Sequence, residues 1–175
     1  MRRMTITLGL MSMIGSLGAA EGCGTKSSMP GTALGTFSIE ATLSSDTCGD
    51  GLGAPSPWSF DVELSKDDDT LYWKQDGAMV SGSISSEVAT ISGSQTSEDT
   101  TDAGVVTCAM TRADTIKVNL GAETDVTSIS GTVTFVFSVV SGTSCSSELA
   151  ANGGSYDTLP CTISYSYEGT RTKAP

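Results

Sequence analysis

Five cysteines carry the most definite chemistry in this chain, and their positions sort them into two groups. Cys23 directly follows a short apolar run, whereas Cys48, Cys108, Cys145 and Cys161 are spread through the rest of the sequence. A cysteine just after a cleavable apolar segment is a site for acylation, and dispersed cysteines in an exported chain oxidise in pairs. Assigning Cys23 to a lipid anchor leaves an even set of four. Cleavage before Glu21, after the small residues Gly18, Ala19 and Ala20, leaves an odd thiol instead and describes a secreted protein.

Four cysteines allow three pairings. Cys145 ends one long strand pattern and Cys161 opens the next, so a bridge between them would close the excursion at its base; Cys48 would then pair with Cys108. Such bridges are worth about 2 to 4 kcal/mol each. A zinc site is the competing use, but the chain has no CxxC pair and no histidine.

The missing histidine also removes Ser-His-Asp triads, Cys-His dyads and the usual general base. Carboxylates remain. Asp61 and Glu63 share the polar side of one strand pattern, and Asp67, Asp68 and Asp69 are consecutive in a turn, which brings a two-carboxylate glycosidase or a calcium site into consideration. The acids lack the alternating spacing of a calcium-binding helix-loop-helix. Glu98, Asp99 and Asp102 form a second acidic loop of the same kind. No catalytic residue, metal ligand or cofactor is assigned.

Around these residues the N-terminus reads as an address. Arg2 and Arg3 precede an apolar stretch from Thr5 to Leu17, about 13 residues and too short to span a bilayer. Residues 1–22 are expected to be a signal peptide and residues 23–34 a lipidated start with a flexible Gly, Ser and Thr tether. Residues 35–172 form a single domain. Ala20-Glu21-Gly22-Cys23 resembles a bacterial lipobox, with Ala20 where leucine is usual and Glu21 where a small neutral residue is usual. Gly24 after the cysteine implies the outer membrane.

Removing 22 of the 175 residues leaves 153, a length that suits one domain. Arg2, Arg3 and Glu21 go with them, so 7 basic and 19 acidic residues remain, net −12. That surface repels phosphate backbones, and nucleic acid is excluded as a partner. The acyl groups on Cys23 are the expected membrane contact; a small-molecule or protein partner is unknown.

Period-two alternation dominates the domain. Phe37, Ile39, Ala41 and Leu43 oppose Ser38, Glu40 and Thr42; Trp58, Phe60, Val62 and Leu64 oppose Ser59, Asp61 and Glu63. Shorter runs follow at 71–74, 79–84 and 87–92. Val106, Cys108 and Met110 make the next face, with Ala113-Asp114 separating it from Ile116, Val118 and Leu120. Residues 127–140 are the longest strand pattern, and Cys161 to Tyr167 the last. The expected fold is an all-β antiparallel meander of about eight or nine strands, an up-and-down barrel in preference to a two-sheet sandwich. One helical turn is expected near Glu148, Leu149 and Ala150, capped by Ser146 or Ser147 and stopped by Asn152-Gly153-Gly154.

Aromatic side chains are the remaining candidates for function. Trp58, Trp73 and Tyr165, with Phe135, Phe137 and Tyr167, would line a barrel mouth able to hold an apolar or sugar-like ligand, although such residues also simply fill small barrels. Tyr72 falls on the opposite face and is the aromatic expected to be exposed.

The segments TLSSDTCG (42–49), GAPSPWSFDVELSKDDDTLYW (53–73), CAMTRADTIKVNLG (108–121), SGTVTFVFS (130–138) and LPCTISYSY (159–167) resemble a group of uncharacterised Gram-negative lipoproteins. That resemblance implies no activity. More loosely the chain is similar to lipocalin-like barrels, although Gly35-Thr36-Phe37 stands where those carry Gly-x-Trp. The expected function is a non-enzymatic cell-envelope lipoprotein with a binding or structural β module. Two alternatives remain: a lipocalin-like carrier of a small apolar ligand and a carboxylate-based carbohydrate enzyme.

Overall fold

The computed structural model describes residues 29–122 and 125–175. Cys23, the signal peptide and the first part of the tether lie outside the described residues.

Eight antiparallel strands form a closed barrel in chain order: β1 (Thr32–Asp46), β2 (Trp58–Asp67), β3 (Thr70–Gln75), β4 (Ala78–Ser85), β5 (Val88–Thr100), β6 (Val106–Asn119), β7 (Ser128–Val139) and β8 (Cys161–Lys173). The up-and-down barrel read from the sequence is therefore the fold. Alternation sends one face of each strand inward, as Phe37, Ile39 and Ala41 of β1 and Ile163, Tyr165 and Tyr167 of β8 show, all buried. The outward positions between them are Ser, Thr and charged residues, among them Glu40, Thr42, Ser166 and Glu168, which are exposed. β1 begins three residues before the expected domain boundary at residue 35.

Short turns explain the meander. The β3–β4 turn places Asp76 at φ 50° and Gly77 at φ 83°, the left-handed pair that a two-residue hairpin requires. The β4–β5 turn does the same with Ser86 at φ 50° and Glu87 at φ 69°. Only three residue pairs follow that turn, Ser85 with Val88, Ile84 with Ala89 and Ser83 with Thr90. Residues 78–82 of β4 and 91–100 of β5 have no ladder partner on the edges they turn toward each other.

Three expectations about β5, β6 and the loop before β8 change. Asp114 does not interrupt the chain: β6 runs unbroken because Asp114 turns inward and is held by Arg112. Glu98 and Asp99 belong to β5, whose pairing with β6 continues to Thr100 opposite Val106. The helical turn is two 3-10 turns, Ser146–Glu148 and Ala150–Asn152, with Cys145 rather than a serine at the first N-cap and left-handed Gly153 as the stop.

The disulfides join Cys48 to Cys161 and Cys108 to Cys145, so the expected partnership of Cys145 with Cys161 is wrong. Barrel closure is the reason. β1 pairs with β8, and Asp46 lies opposite Ile163, so Cys48 just beyond β1 meets the first residue of β8. β6 pairs with β7, and Met110 lies opposite Val139, so Cys108 meets the loop leaving β7. Both bridges sit at one end of the barrel, the capped end, beside the loop of residues 140–160.

The sequence separations of 113 and 37 residues rank the bridges. Chain-entropy arithmetic gives about 4.8 kcal/mol for the first and about 3.9 kcal/mol for the second. Replacing both cysteines of one pair with alanine and measuring urea unfolding should show the larger loss for Cys48/Cys161, by about 1 kcal/mol.

Candidate functional site: the barrel interior

Inward side chains of β2, β3, β7 and β8 form a continuous aromatic chain. Phe135 and Tyr165 have ring centroids 6.5 Å apart, Tyr165 and Trp58 5.4 Å, Trp58 and Phe60 4.4 Å, Phe60 and Trp73 6.3 Å, and Trp73 and Tyr167 6.1 Å. The structure thus brings together Trp58, Trp73, Phe135, Tyr165 and Tyr167, while Phe137 packs on Tyr156 and Tyr72 is on the other face. Trp73 and Tyr165 are fully buried and Trp58 is half-buried at the capped end of β2. Tyr72 points outward between Leu71 and Trp73, as its parity predicts, and is half-buried.

Tyr167 shows how a polar tip is normally accommodated here. Its hydroxyl donates to the Lys117 carbonyl at 3.0 Å, reaching across Gly131 of β7. A Cβ at Gly131 would lie 1.9 Å from the Lys117 oxygen and 2.7 Å from the Tyr167 hydroxyl, so only glycine leaves this path open. Burial holds the Tyr167 hydroxyl far above the ordinary phenol range.

Three other inward polar atoms lack such a partner. Trp73 Nε1, Gln75 Oε1 and the Tyr165 hydroxyl make no hydrogen bond, although their residues are only 1 %, 6 % and 0 % exposed. Each normally finds a partner when buried, and an unmade bond costs about 1 to 3 kcal/mol. Burial, followed by the charge of Asp46, raises the Tyr165 hydroxyl pKa, so it stays a protonated donor. One donor on an indole, one acceptor on an amide and one hydroxyl therefore share an aromatic interior.

A charged pair lies on the β6 side of the same interior. Arg112 donates from Nε and Nη2 to the two Asp114 carboxylate oxygens, both at 2.8 Å, with 11 % and 6 % side-chain exposure. Its guanidinium carbon sits 5.3 Å from the Phe135 ring centroid, and the Gln95 amide, oriented to accept, offers oxygen at 3.1 Å. The charges are mutually satisfied, which permits their burial. Gln75, Arg112 and Asp114 were missed as interior residues. Their signal was parity: Arg112 and Asp114 share the register of Met110, Ile116 and Val118.

The loop of residues 140–160 closes the capped end. Phe137 packs on Tyr156 at 5.5 Å, and Ser97, Asp99, Cys108, Met110, Glu148 and Tyr156 surround a cavity of about 50 Å³. Burial and then a hydrogen bond with Asp99 raise the Glu148 pKa. At the opposite end, Leu34, Ile84, Leu120 and Val126 help line an open recess of about 450 Å³.

The acidic candidates do not converge. Asp61 and Glu63 are exposed on the outer face, where Glu63 pairs with Lys74 at 2.9 Å. Asp67, Asp68 and Asp69 are exposed at the β2–β3 turn, with Asp68 at φ 47°. Among the described residues no three cysteine or acidic side chains gather as a metal site. No protein family, curated protein or solved structure matches this chain.

Two measurements test the electrostatics. Asp114→Asn should destabilise the fold by about 3 to 5 kcal/mol because it strands a buried guanidinium, while the double change Arg112→Met with Asp114→Leu should cost much less; urea unfolding reads both. Glu148 binds a proton more tightly when folded, so its contribution favours the fold at low pH and is lost as pH rises through the carboxylate range. Glu148→Gln should therefore raise the melting temperature at pH 7, with the gain shrinking toward pH 4.

Proposed function

We propose that the chain is a non-enzymatic cell-envelope lipoprotein, anchored through Cys23, whose barrel binds a small apolar molecule carrying one hydroxyl- or amide-like group. Among the described residues four buried side-chain polar atoms have no partner, and the observation that carries this reading is that three of them, Trp73 Nε1, Gln75 Oε1 and the Tyr165 hydroxyl, are on inward positions of the barrel, the fourth, Ser65 Oγ, having the outward parity of β2. A group that both donates and accepts matches an indole N–H and an amide oxygen together. An apolar body matches the rings around them, and an eight-stranded barrel accommodates one small ligand.

Lipid anchoring rests on Cys23, its preceding apolar run and the pairing of all four other cysteines with one another. The non-enzymatic reading rests on the lack of histidine and on the outward, separated placement of Asp61, Glu63 and the Asp67 to Asp69 turn.

Gln75→Leu and Tyr165→Phe remove polar atoms that the fold does not satisfy, so each should leave stability unchanged or raise it by about 1 kcal/mol. The same changes should abolish binding. The probe is 1-hexanol against n-hexane, read from the amide and indole NMR signals of the full chain. The reading expects 1-hexanol to move the Trp73 indole signal with a saturable profile, the alkane to bind more weakly, and both variants to lose the discrimination. No saturable shift, or equal binding of alcohol and alkane, overturns it.

A further inference from the structure

The seam between β4 and β5 is the least finished part of the barrel. Beyond Ser83 and Thr90 the two strands stop pairing, and residues 91–100 of β5 present an edge of ten residues with no strand paired on the side toward β4. The hairpin fixes which groups face that gap. Ser85 and Val88 flank a two-residue turn and so exchange their N–H and C=O groups with each other; Ser83 and Thr90 repeat this one period on. Continuing in steps of two, Ser92, Ser94, Thr96 and Glu98 aim their backbone donors and acceptors into the gap. Gly93, Gln95, Ser97 and Asp99 use theirs on β6.

Natural edges are normally short, covered, or broken by proline and lysine. This one has neither residue from 92 to 100, and every side chain from Ser94 to Thr100 is exposed. The facing edge of β4 carries Met79, 47 % exposed, on the outer surface.

Charge states what would lie there. Glu98, Asp99 and Asp102 are on the β5–β6 hairpin, Asp76 is on the β3–β4 turn at the same end of the barrel, and Glu148 adjoins Asp99 from the capping loop. Of the nearby cations, Lys74 of β3 is paired with Glu63 and Arg112 of β6 with Asp114, and Lys117 of β6 lies opposite Thr90, at the paired end of the seam away from Glu98. A second copy of this chain, net −11 over its full length, would bring like charge to the same edge.

We propose that the free edge of β5 binds an extended peptide rich in lysine or arginine, which adds as a ninth strand in the gap beside β4. Backbone hydrogen bonds to Ser92, Ser94, Thr96 and Glu98 supply register-independent affinity, and cationic side chains at alternate positions, which share one face of the added strand, lie on the outer face with Glu98. This site is the β4–β5 seam of the barrel wall and is separate from the interior positions of Trp73 and Tyr165.

The test uses the full-length chain and two fluorescent synthetic decapeptides, (Thr-Lys)5 and (Thr-Glu)5, with anisotropy as the affinity readout and hydrogen exchange as the map. The lysine peptide should bind and protect the amides of Ser94 and Thr96, while the glutamate peptide should not bind. Ser92→Pro with Ser94→Pro removes two backbone donors that face the gap and none that face β6, so affinity should fall about thirtyfold, the loss of two hydrogen bonds, with an unchanged melting temperature. A lysine peptide N-methylated at alternate residues supplies an independent control on the unaltered protein and should lose binding to the same degree. Equal binding by the methylated peptide would show a charge effect without strand addition and overturn the proposal. So would failure of (Thr-Lys)5 to bind, protection elsewhere on the barrel, or concentration-dependent dimers that bury the β5 edge.

Discussion

The ladder between β1 and β8 is the constraint on which the other features depend. Without it the eight strands are an open meander with two unpaired edges, and the inward faces of β1 and β8 have nothing opposite them. With it, Tyr165 and Tyr167 lie beside Leu43 and Ala41, and the aromatic chain from Phe135 to Trp73 becomes continuous. The Cys48–Cys161 bridge sits at the end of this same ladder, so the covalent link and the hydrogen-bonded seam enforce one closure.

Closure also dictates what the interior must tolerate. An eight-stranded barrel is filled by its own side chains or holds one small ligand, and each inward polar atom must find a partner within that set. Two solutions are complete: Tyr167 reaches a backbone carbonyl over Gly131, and Asp114 chelates Arg112. Trp73 and Gln75 of β3 and Tyr165 of β8 depart from that rule. Local departures from otherwise consistent packing are where proteins place function, because a fold optimised only for stability would have used Phe or Leu there.

Much of this fold is legible in the sequence. Alternation at Phe37, Ile39 and Ala41, or at Val133, Phe135 and Phe137, depends only on which side of a pleat a residue occupies, and that parity survives folding intact. Asp76-Gly77 makes its hairpin through a backbone preference that belongs to those two residues alone. The failures were of another kind. The disulfide partners depend on which strands become neighbours when the ends meet, a property of closure that local spacing does not contain. Asp114 looked like a strand break because its charge was read without Arg112 two residues earlier. The unpartnered state of Gln75 was invisible because it is defined by the geometry of every surrounding strand, and the β4–β5 gap because strand patterns do not report how long two neighbours stay paired.

The wiring of the cysteines has a kinetic side. Cys145 and Cys161 are only sixteen positions apart, whereas the bonded pairs are separated by 37 and 113 residues. In an unstructured chain, encounter entropy favours the sixteen-residue loop over these two by about 0.7 and 1.7 kcal/mol. A random oxidation would thus tend to link the two ends of the β7–β8 connection, consuming Cys161 and leaving Cys48 with no partner across the β1–β8 join. The observed wiring is selected by the folded neighbourhood, so sheet assembly has to run ahead of thiol oxidation, or reshuffling has to follow it. The final strand of the chain, by arriving beside the first, acts as the proofreader of its own covalent links.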